Sequence, residues 1–144
     1  MSGRTFVDSN VLIYAYDLDA GAKREIAKSL LRELWEEQTG VLSVQVLQEF
    51  YVNATRKIPQ PLPKGSARDV VREYFPWCIE TTPAEISAAF RIEDKAQISF
   101  WDALIVSSAL RRGATRILSE DLNPGQQIAR IVIENPFRSH GMRH

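Results

Sequence analysis

Asp102 is the charge in this sequence whose surroundings ask for chemistry. From Ser99 to Leu110 it is the only charged residue, set among Phe100, Trp101, Ala103, Leu104, Ile105, Val106, Ala109 and Leu110. A helix apolar nearly all round is buried. A carboxylate on such a helix loses water, which is costly unless it is paired or bound to a cation. Ser99-x-x-Asp102 also fits a capping box. Capping accounts for an acid near a helix start but not for the lack of other charges. Three further acids hold suggestive positions. Asp8 ends the apolar run Thr5-Phe6-Val7, Glu49 lies on an amphipathic stretch, and Asp121 follows Arg116–Leu118. Taken one at a time, these read as a turn or cap acid, a solvated helix acid and a loop acid. Glu120 competes with Asp121 for any role, and Asn53 is placed one helical turn from Glu49 to orient it.

Apolar spacing sets the strands and helices on which these acids sit. Thr5-Phe6-Val7 suits a short buried strand, and the polar break Asp8-Ser9-Asn10 reads as strand end and helix start, with Ser9 or Asn10 as cap. Ala22 to Gln38 carries Ile26, Ala27, Leu30, Leu31, Leu34 and Trp35 at three- and four-residue spacing, an amphipathic helix that Gly40 ends. Val41-Leu42 is a short strand. Ser43 caps a helix to about Lys57, on which Gln45, Glu49 and Asn53 share a face. Pro59, Pro61 and Pro63 stiffen a loop, Ser66 to about Tyr74 is helical, and Trp77 to Glu80 is a strand. Thr82-Pro83-Ala84-Glu85 combines a capping box with Pro at the first helical position, opening a helix to about Lys95. A helix from Ser99 ends before Gly113. The strand Arg116–Leu118, a loop from Ser119 to Gly125 and a last strand Ile128–Ile133 follow. Alternating strands and helices predict an α/β domain over residues 1–135 with a mostly parallel sheet between helical layers, followed by a frayed polar tail over 136–144.

In such a sheet Asp8 and Asp121 project from one edge, outside the carboxyl ends of the strands where ligands bind. Glu49 falls in the first two turns of a helix starting from that edge. Asp102 joins them if its helix also starts there. Four converging carboxylates repel and need a cation. Oxygen-only ligands suit Mg²⁺ or Mn²⁺, and acids holding such ions serve phosphodiester hydrolysis.

Composition bounds the rest. The 144 residues suffice for one domain. Eighteen basic and eighteen acidic residues cancel, which argues against a surface coated for nucleic acid while allowing a local basic groove. The lone Cys78 excludes an internal disulfide and reads as a buried small hydrophobe. No signal peptide or membrane-spanning apolar segment is visible, so the expected compartment is the cytoplasm, with no membrane partner.

Phe6-Val7-Asp8-Ser9-Asn10, Glu49 with Asn53, Trp101-Asp102-Ala103-Leu104-Ile105 and Leu118-Ser119-Glu120-Asp121-Leu122 together resemble the PIN-domain ribonucleases, above all the VapC-like toxins of bacterial toxin–antitoxin pairs. The resemblance runs from about Thr5 to Asn135. It implies a five-stranded parallel sheet and Mg²⁺- or Mn²⁺-dependent cleavage of RNA. It carries the family's acidic quartet onto Asp8, Glu49, Asp102 and Asp121, and its Ser or Thr onto Ser119. Asn10 and Asn53 are supporting polar residues. Some members place another acid two residues beyond the fourth, where this chain has Asn123. One metal ion or two is therefore left open. The resemblance further implies a protein antitoxin, with the Ala22–Gln38 helix and the Ile58 region as candidate surfaces, and allows a homodimer. Arg56, Lys57 and Lys64 are candidates for RNA-backbone contacts. Two other functions compete. A catalytically silent PIN-like interaction module would be expected to lose acids, yet all four remain. A haloacid-type phosphatase wants an acid two residues after Asp8, where Asn10 stands.

Overall fold

The computed structural model describes residues 3–122 and 125–138. Six strands form one sheet: β1 (Arg4–Val7), β2 (Gly40–Ser43), β3 (Cys78–Ile79), β4 (Ala114–Leu118), β5 (Gln127–Ile128) and β6 (Ile131–Glu134). Their spatial order is β3-β2-β1-β4-β6-β5. All neighbours are parallel except β5, which folds back antiparallel on β6. The expected five-stranded sheet thus has a sixth strand. The single run Ile128–Ile133 is split by a two-residue turn at Ala129 and Arg130, both at positive φ (49° and 77°). Hairpin turns of this kind favour Asn-Gly or Asp-Gly, so Ala-Arg gave no signal.

Among the described residues six longer helices flank the sheet: α1 (Ser9–Tyr16), α2 (Ala22–Glu37), α3 (Val44–Arg56), α4 (Lys64–Glu73), α5 (Pro83–Ala96) and α6 (Phe100–Arg111). Helix α1 packs on α2 and α3, α3 on α4, and α2 and α3 on β2, while α5 and α6 pack together and α6 lies on β2 and β4. The result is a three-layer α/β/α domain. Phe6, Val7, Leu12, Leu42, Phe50, Ile117 and Ile133 are fully or almost fully buried at its centre.

Local chemistry explains several element ends. Asp8, rather than Ser9 or Asn10, caps α1, its carboxylate accepting from the Ser9 N–H at 2.8 Å. Ser43 caps α3 through the Val46 N–H at 3.3 Å. Thr82 donates its N–H to Glu85 Oε1 at 3.1 Å, the return bond of the expected box. Helix α2 ends on Gln38 in the left-handed conformation (φ 59°). Gly40 serves another purpose: a Cβ there would meet the Trp77 indole at 2.5 Å. Helix α4 begins at Lys64, two residues early, because Pro63 can accept its first bond from Ala67 N–H at 3.1 Å. The expected Trp77–Glu80 strand shortens to Cys78–Ile79, since Phe75–Trp77 form a 3₁₀ turn. Cys78 is half-buried rather than buried, and burial raises its thiol pKa.

The packed body also continues past Asn135. Residues 136–138 are helical, Asn135 Oδ1 accepts from the Phe137 and Arg138 N–H groups, and the buried Phe137 ring meets Tyr14 edge-on at 5.0 Å. Aromatic packing outweighs the polar composition that reads as a tail from Pro136. Residues 139–144 lie outside the described residues. Among the described residues no helix is long and apolar enough to cross a membrane.

Candidate active site

The sheet order reverses between β1 and β4: β2 and β3 lie outward of β1 on one side, β6 and then β5 outward of β4 on the other. Such a switch point leaves a crevice at the carboxyl ends of the strands. Asp8 is the first residue beyond β1, and its N–H still pairs with the Leu118 carbonyl at 3.0 Å. Ser119 to Asp121 leave β4 on the other side. Helix α3 starts from the same edge because it follows β2. Helix α6 leads directly into β4, so it runs against the strand and begins at this edge too, bringing Asp102 back to the crevice. Asp8, Glu49, Asp102 and Asp121 all line one cleft of about 700 Å³, with Asn10, Asn53 and Lys57. Arg56 and Lys64 are exposed and do not line it.

Asp8 is the most deeply placed of the four, 5% exposed. Its Oδ2 accepts from Ser119 Oγ at 2.7 Å. Burial pushes its pKa up to about 6; the hydrogen bonds from Ser119 and Ser9 oppose the rise, and the charges of Glu49 and Asp121 add to it. Ser119 is fully buried and also accepts from the Asp121 and Leu122 N–H groups at 3.1 and 3.3 Å, locking the strand exit to Asp8. Asn10 spans the same gap. Its Nδ2 donates to Asp121 Oδ2 at 3.2 Å and its Oδ1 accepts from the Glu120 N–H at 3.1 Å.

Asp102 occupies the third position of α6, and its backbone N–H is capped by Ser99 Oγ at 3.1 Å. Among the described residues its carboxylate makes no return bond to the Ser99 backbone. The side chain lines the cleft, beside the Ser99 hydroxyl. Burial raises its pKa, opposed by Ser99 and reinforced by Asp121 and Glu49. The expected all-round burial of this helix holds from Ala103 to Ala109 but fails at Trp101, which is 60% exposed.

Glu49 accepts from Gln45 Nε2 at 3.2 Å. Asn53 does not orient it: the Asn53 amide donates to the Glu49 backbone carbonyl at 2.8 Å. Gln45 was legible as a partner, four residues before Glu49 on the same face. Glu120 is drawn away from the other acids. Its oxygens accept from Tyr14 Oη at 2.6 Å and Lys23 Nζ at 2.5 Å. Partial burial raises its pKa, but these two hydrogen bonds outweigh that and hold it below the ordinary range. Tyr14 and Lys23 carried no sequence signal, since α1 and α2 bring them to Glu120 only on folding. Asn123 lies outside the described residues.

None of the four cleft acids pairs with a lysine or arginine among the described residues. Nor, among those residues, are any three His, Cys, Asp or Glu side chains grouped tightly enough to hold a metal ion as they stand. The donor set nonetheless has the chemistry that suits a hard divalent cation: carboxylate oxygens, Asp8 buried, none ion-paired to a lysine or arginine among the described residues. Ser119→Ala is expected to destabilise the fold by about 1–3 kcal/mol, because it strands the buried Asp8 oxygen and the Asp121 and Leu122 N–H groups. Urea melts of the two proteins measure this directly, and coincident curves would show that Ser119 holds nothing in place.

The PIN domain family model matches residues 5–130. Three solved structures share the fold. VapC20 of Mycobacterium tuberculosis, described as a Sarcin-Ricin loop cleaving toxin, is 18% identical, with a TM-score of 0.58 over 81% of this chain and 89% of its own. A toxin–antitoxin complex from Klebsiella pneumoniae is 21% identical, with a TM-score of 0.63 over 92% and 97%. VapBC2 from Rickettsia felis, bound to a DNA fragment from its promoter, is 15% identical, with a TM-score of 0.63 over 90% and 96%. No curated protein matches the chain by sequence.

Proposed function

The chain belongs to the PIN domain family, and from that premise we propose that it is a metal-dependent endoribonuclease hydrolysing RNA phosphodiester bonds, the toxin of a bacterial toxin–antitoxin pair acting in the cytoplasm. The observation that carries this reading is the cleft itself: four carboxylates at the switch point of a parallel sheet, with no lysine or arginine paired to them among the described residues. Asp8, Glu49, Asp102 and Asp121 would hold Mg²⁺ or Mn²⁺. When bound, the ion supplies an activated water and stabilises charge developing on the phosphate. The protein's own contribution is positioning. Ser119 and Asn10 fix Asp8 and Asp121 from between, Gln45 steadies Glu49, and Lys57 at the end of α3 faces the cleft where an RNA phosphate needs a counter-charge. Arg56 and Lys64 remain candidates for more distant backbone contacts.

The antitoxin surface we propose is neither the Ala22–Gln38 helix nor the Ile58 region. Ile58 is buried at 8% exposure, and α2 turns its apolar residues Ala27, Leu31 and Leu34 inward. A groove of about 620 Å³ between α3 and α4, lined by Val44, Leu47, Tyr51, Val52, Val71 and Phe75, offers apolar surface, with Phe75 57% exposed. Arg68 and Arg72 flank it, so the segment proposed to lie there is apolar with acidic flanks.

Calorimetric titration of Mn²⁺ tests the metal. Wild type is expected to bind one or two ions, and Asp8→Asn at least about tenfold more weakly. Equal binding by both proteins would remove Asp8 from the site, and with it the present assignment of the cleft.

A further inference from the structure

Trp101 stands out among the aromatic residues. Large apolar rings are ordinarily buried, and an exposed one beside a polar cleft marks a contact surface. Its indole is 60% exposed and braced from behind by the Phe100 ring at 5.2 Å, which in turn meets Phe90 at 5.7 Å. Trp101 is a shared wall. With Gln45, Gln48 and Glu49 it separates the acidic cleft, where it stands next to Asp102, from a second groove of about 810 Å³ that Val44, Glu80, Thr81 and Leu104 complete.

We propose that this second groove is a subsite for an unpaired RNA base next to the scissile phosphate, with Trp101 as its stacking platform and Gln48 reading its edge. The proposal rests on the nuclease reading above. Each wall suits a base. Leu104 and the indole face offer flat apolar surface, and stacking on an aromatic ring is how single-stranded RNA is held. Gln48 carries an amide donor and acceptor and makes no side-chain hydrogen bond among the described residues. Glu80 would repel a phosphate, so the groove takes the base and leaves the backbone to the cleft and Lys57. Gln45 and Lys57 bracket the cleft-lining face of α3, roughly 18 Å apart at the rise of a helix. A protein partner seated on Phe90, Phe100 and Trp101 is the competing occupant. The Gln45 and Gln48 amides beside the indole, in a groove continuous with the acidic cleft, favour a nucleotide base.

The test uses a short unstructured RNA of mixed sequence and the same phosphate backbone carrying stable abasic sugars, both added in chelator so that nothing is cut. The base-bearing RNA is expected to quench wild-type tryptophan fluorescence and the abasic chain to leave it unchanged. Trp101→Phe, which retains Trp35 and Trp77, reports whether the quenched ring is Trp101. Trp101→Ala is expected to bind the base-bearing RNA about tenfold to a hundredfold more weakly. In Mn²⁺ it is expected to raise KM by a similar factor with kcat little changed, and Trp101→Phe to restore most of the loss. Mn²⁺ affinity unchanged in Trp101→Ala shows that Asp102 is undisturbed. If wild type and Trp101→Ala bind RNA equally, or if the substitution alters only self-association or antitoxin capture, the subsite falls and the nuclease reading stands. If wild type neither binds nor cuts any RNA, the nuclease reading falls first and takes the subsite with it.

Discussion

Asp102→Asn is expected to abolish most RNA cleavage, on the order of a hundredfold or more, while leaving the protein folded. A carboxylate that holds a catalytic cation contributes several kcal/mol to charge stabilisation in the transition state, and each 1.36 kcal/mol is worth about tenfold in rate. The structural cost is small for a specific reason. The helix cap at Ser99 is made by the backbone N–H of residue 102, not by its carboxylate, so the amide side chain leaves the cap intact. Without metal the variant is expected to be slightly more stable than wild type, because it removes a partly desolvated charge facing Asp121 and Glu49. The comparison is cleavage of mixed single-stranded RNA at saturating Mn²⁺, with circular dichroism confirming the fold. A folded Asp102→Asn protein that cuts at the wild-type rate would leave Asp102 no role beyond its place on the helix.

Asp102 was legible because it breaks a local rule, a charge alone on an apolar helix; Asp8, Glu49 and Asp121 are ordinary one at a time and became legible only through the parallel sheet expected to bring them to one edge. The fold class was legible for the same reason that the strands are short and apolar and the helices periodic. Topology then explains what single residues could not: the reversal of strand order between β1 and β4 is what places Asp8 and Asp121 on either side of one crevice. The second layer of the site was harder to see. Asn53 and Gln45 are equally spaced about Glu49, and only side-chain geometry shows that Asn53 turns to its own helix while Gln45 meets the carboxylate. The Lys23–Glu120–Tyr14 contacts join residues 97 and 106 positions apart and carry no local signal. Trp101 misled for a physical reason. Composition makes a helix look buried throughout, but Trp101 in the first turn of α6 lines two open grooves, so its exposure is set by its place in the fold rather than by its hydrophobicity.

The buried Asp8 carboxylate makes the metal-free protein sensitive to pH in an unusual direction. Its pKa is about 6 in the folded chain against an ordinary 3.8. A raised carboxyl pKa means the native state binds the proton more tightly than the unfolded state, so stability is fully present below about 3.8 and is lost as pH rises through about 6. The gap corresponds to at most about 3 kcal/mol, of which roughly 1 kcal/mol is recovered on going from pH 7 to pH 5. Asp102 acts in the same sense and Glu120 in the opposite one, its stability lost on acidification, but both are more exposed and better screened. In chelator the melting temperature of wild type is therefore expected to rise by a few degrees between pH 7 and pH 5. Asp8→Asn, which cannot ionise, is expected to lose most of that slope and to melt higher than wild type at pH 7. Excess Mg²⁺ is expected to reverse the wild-type slope, because the cation binds the ionised carboxylates and stabilises the native state by mass action. Parallel slopes for the two proteins in chelator would show that Asp8 is not the buried acid that governs this cleft.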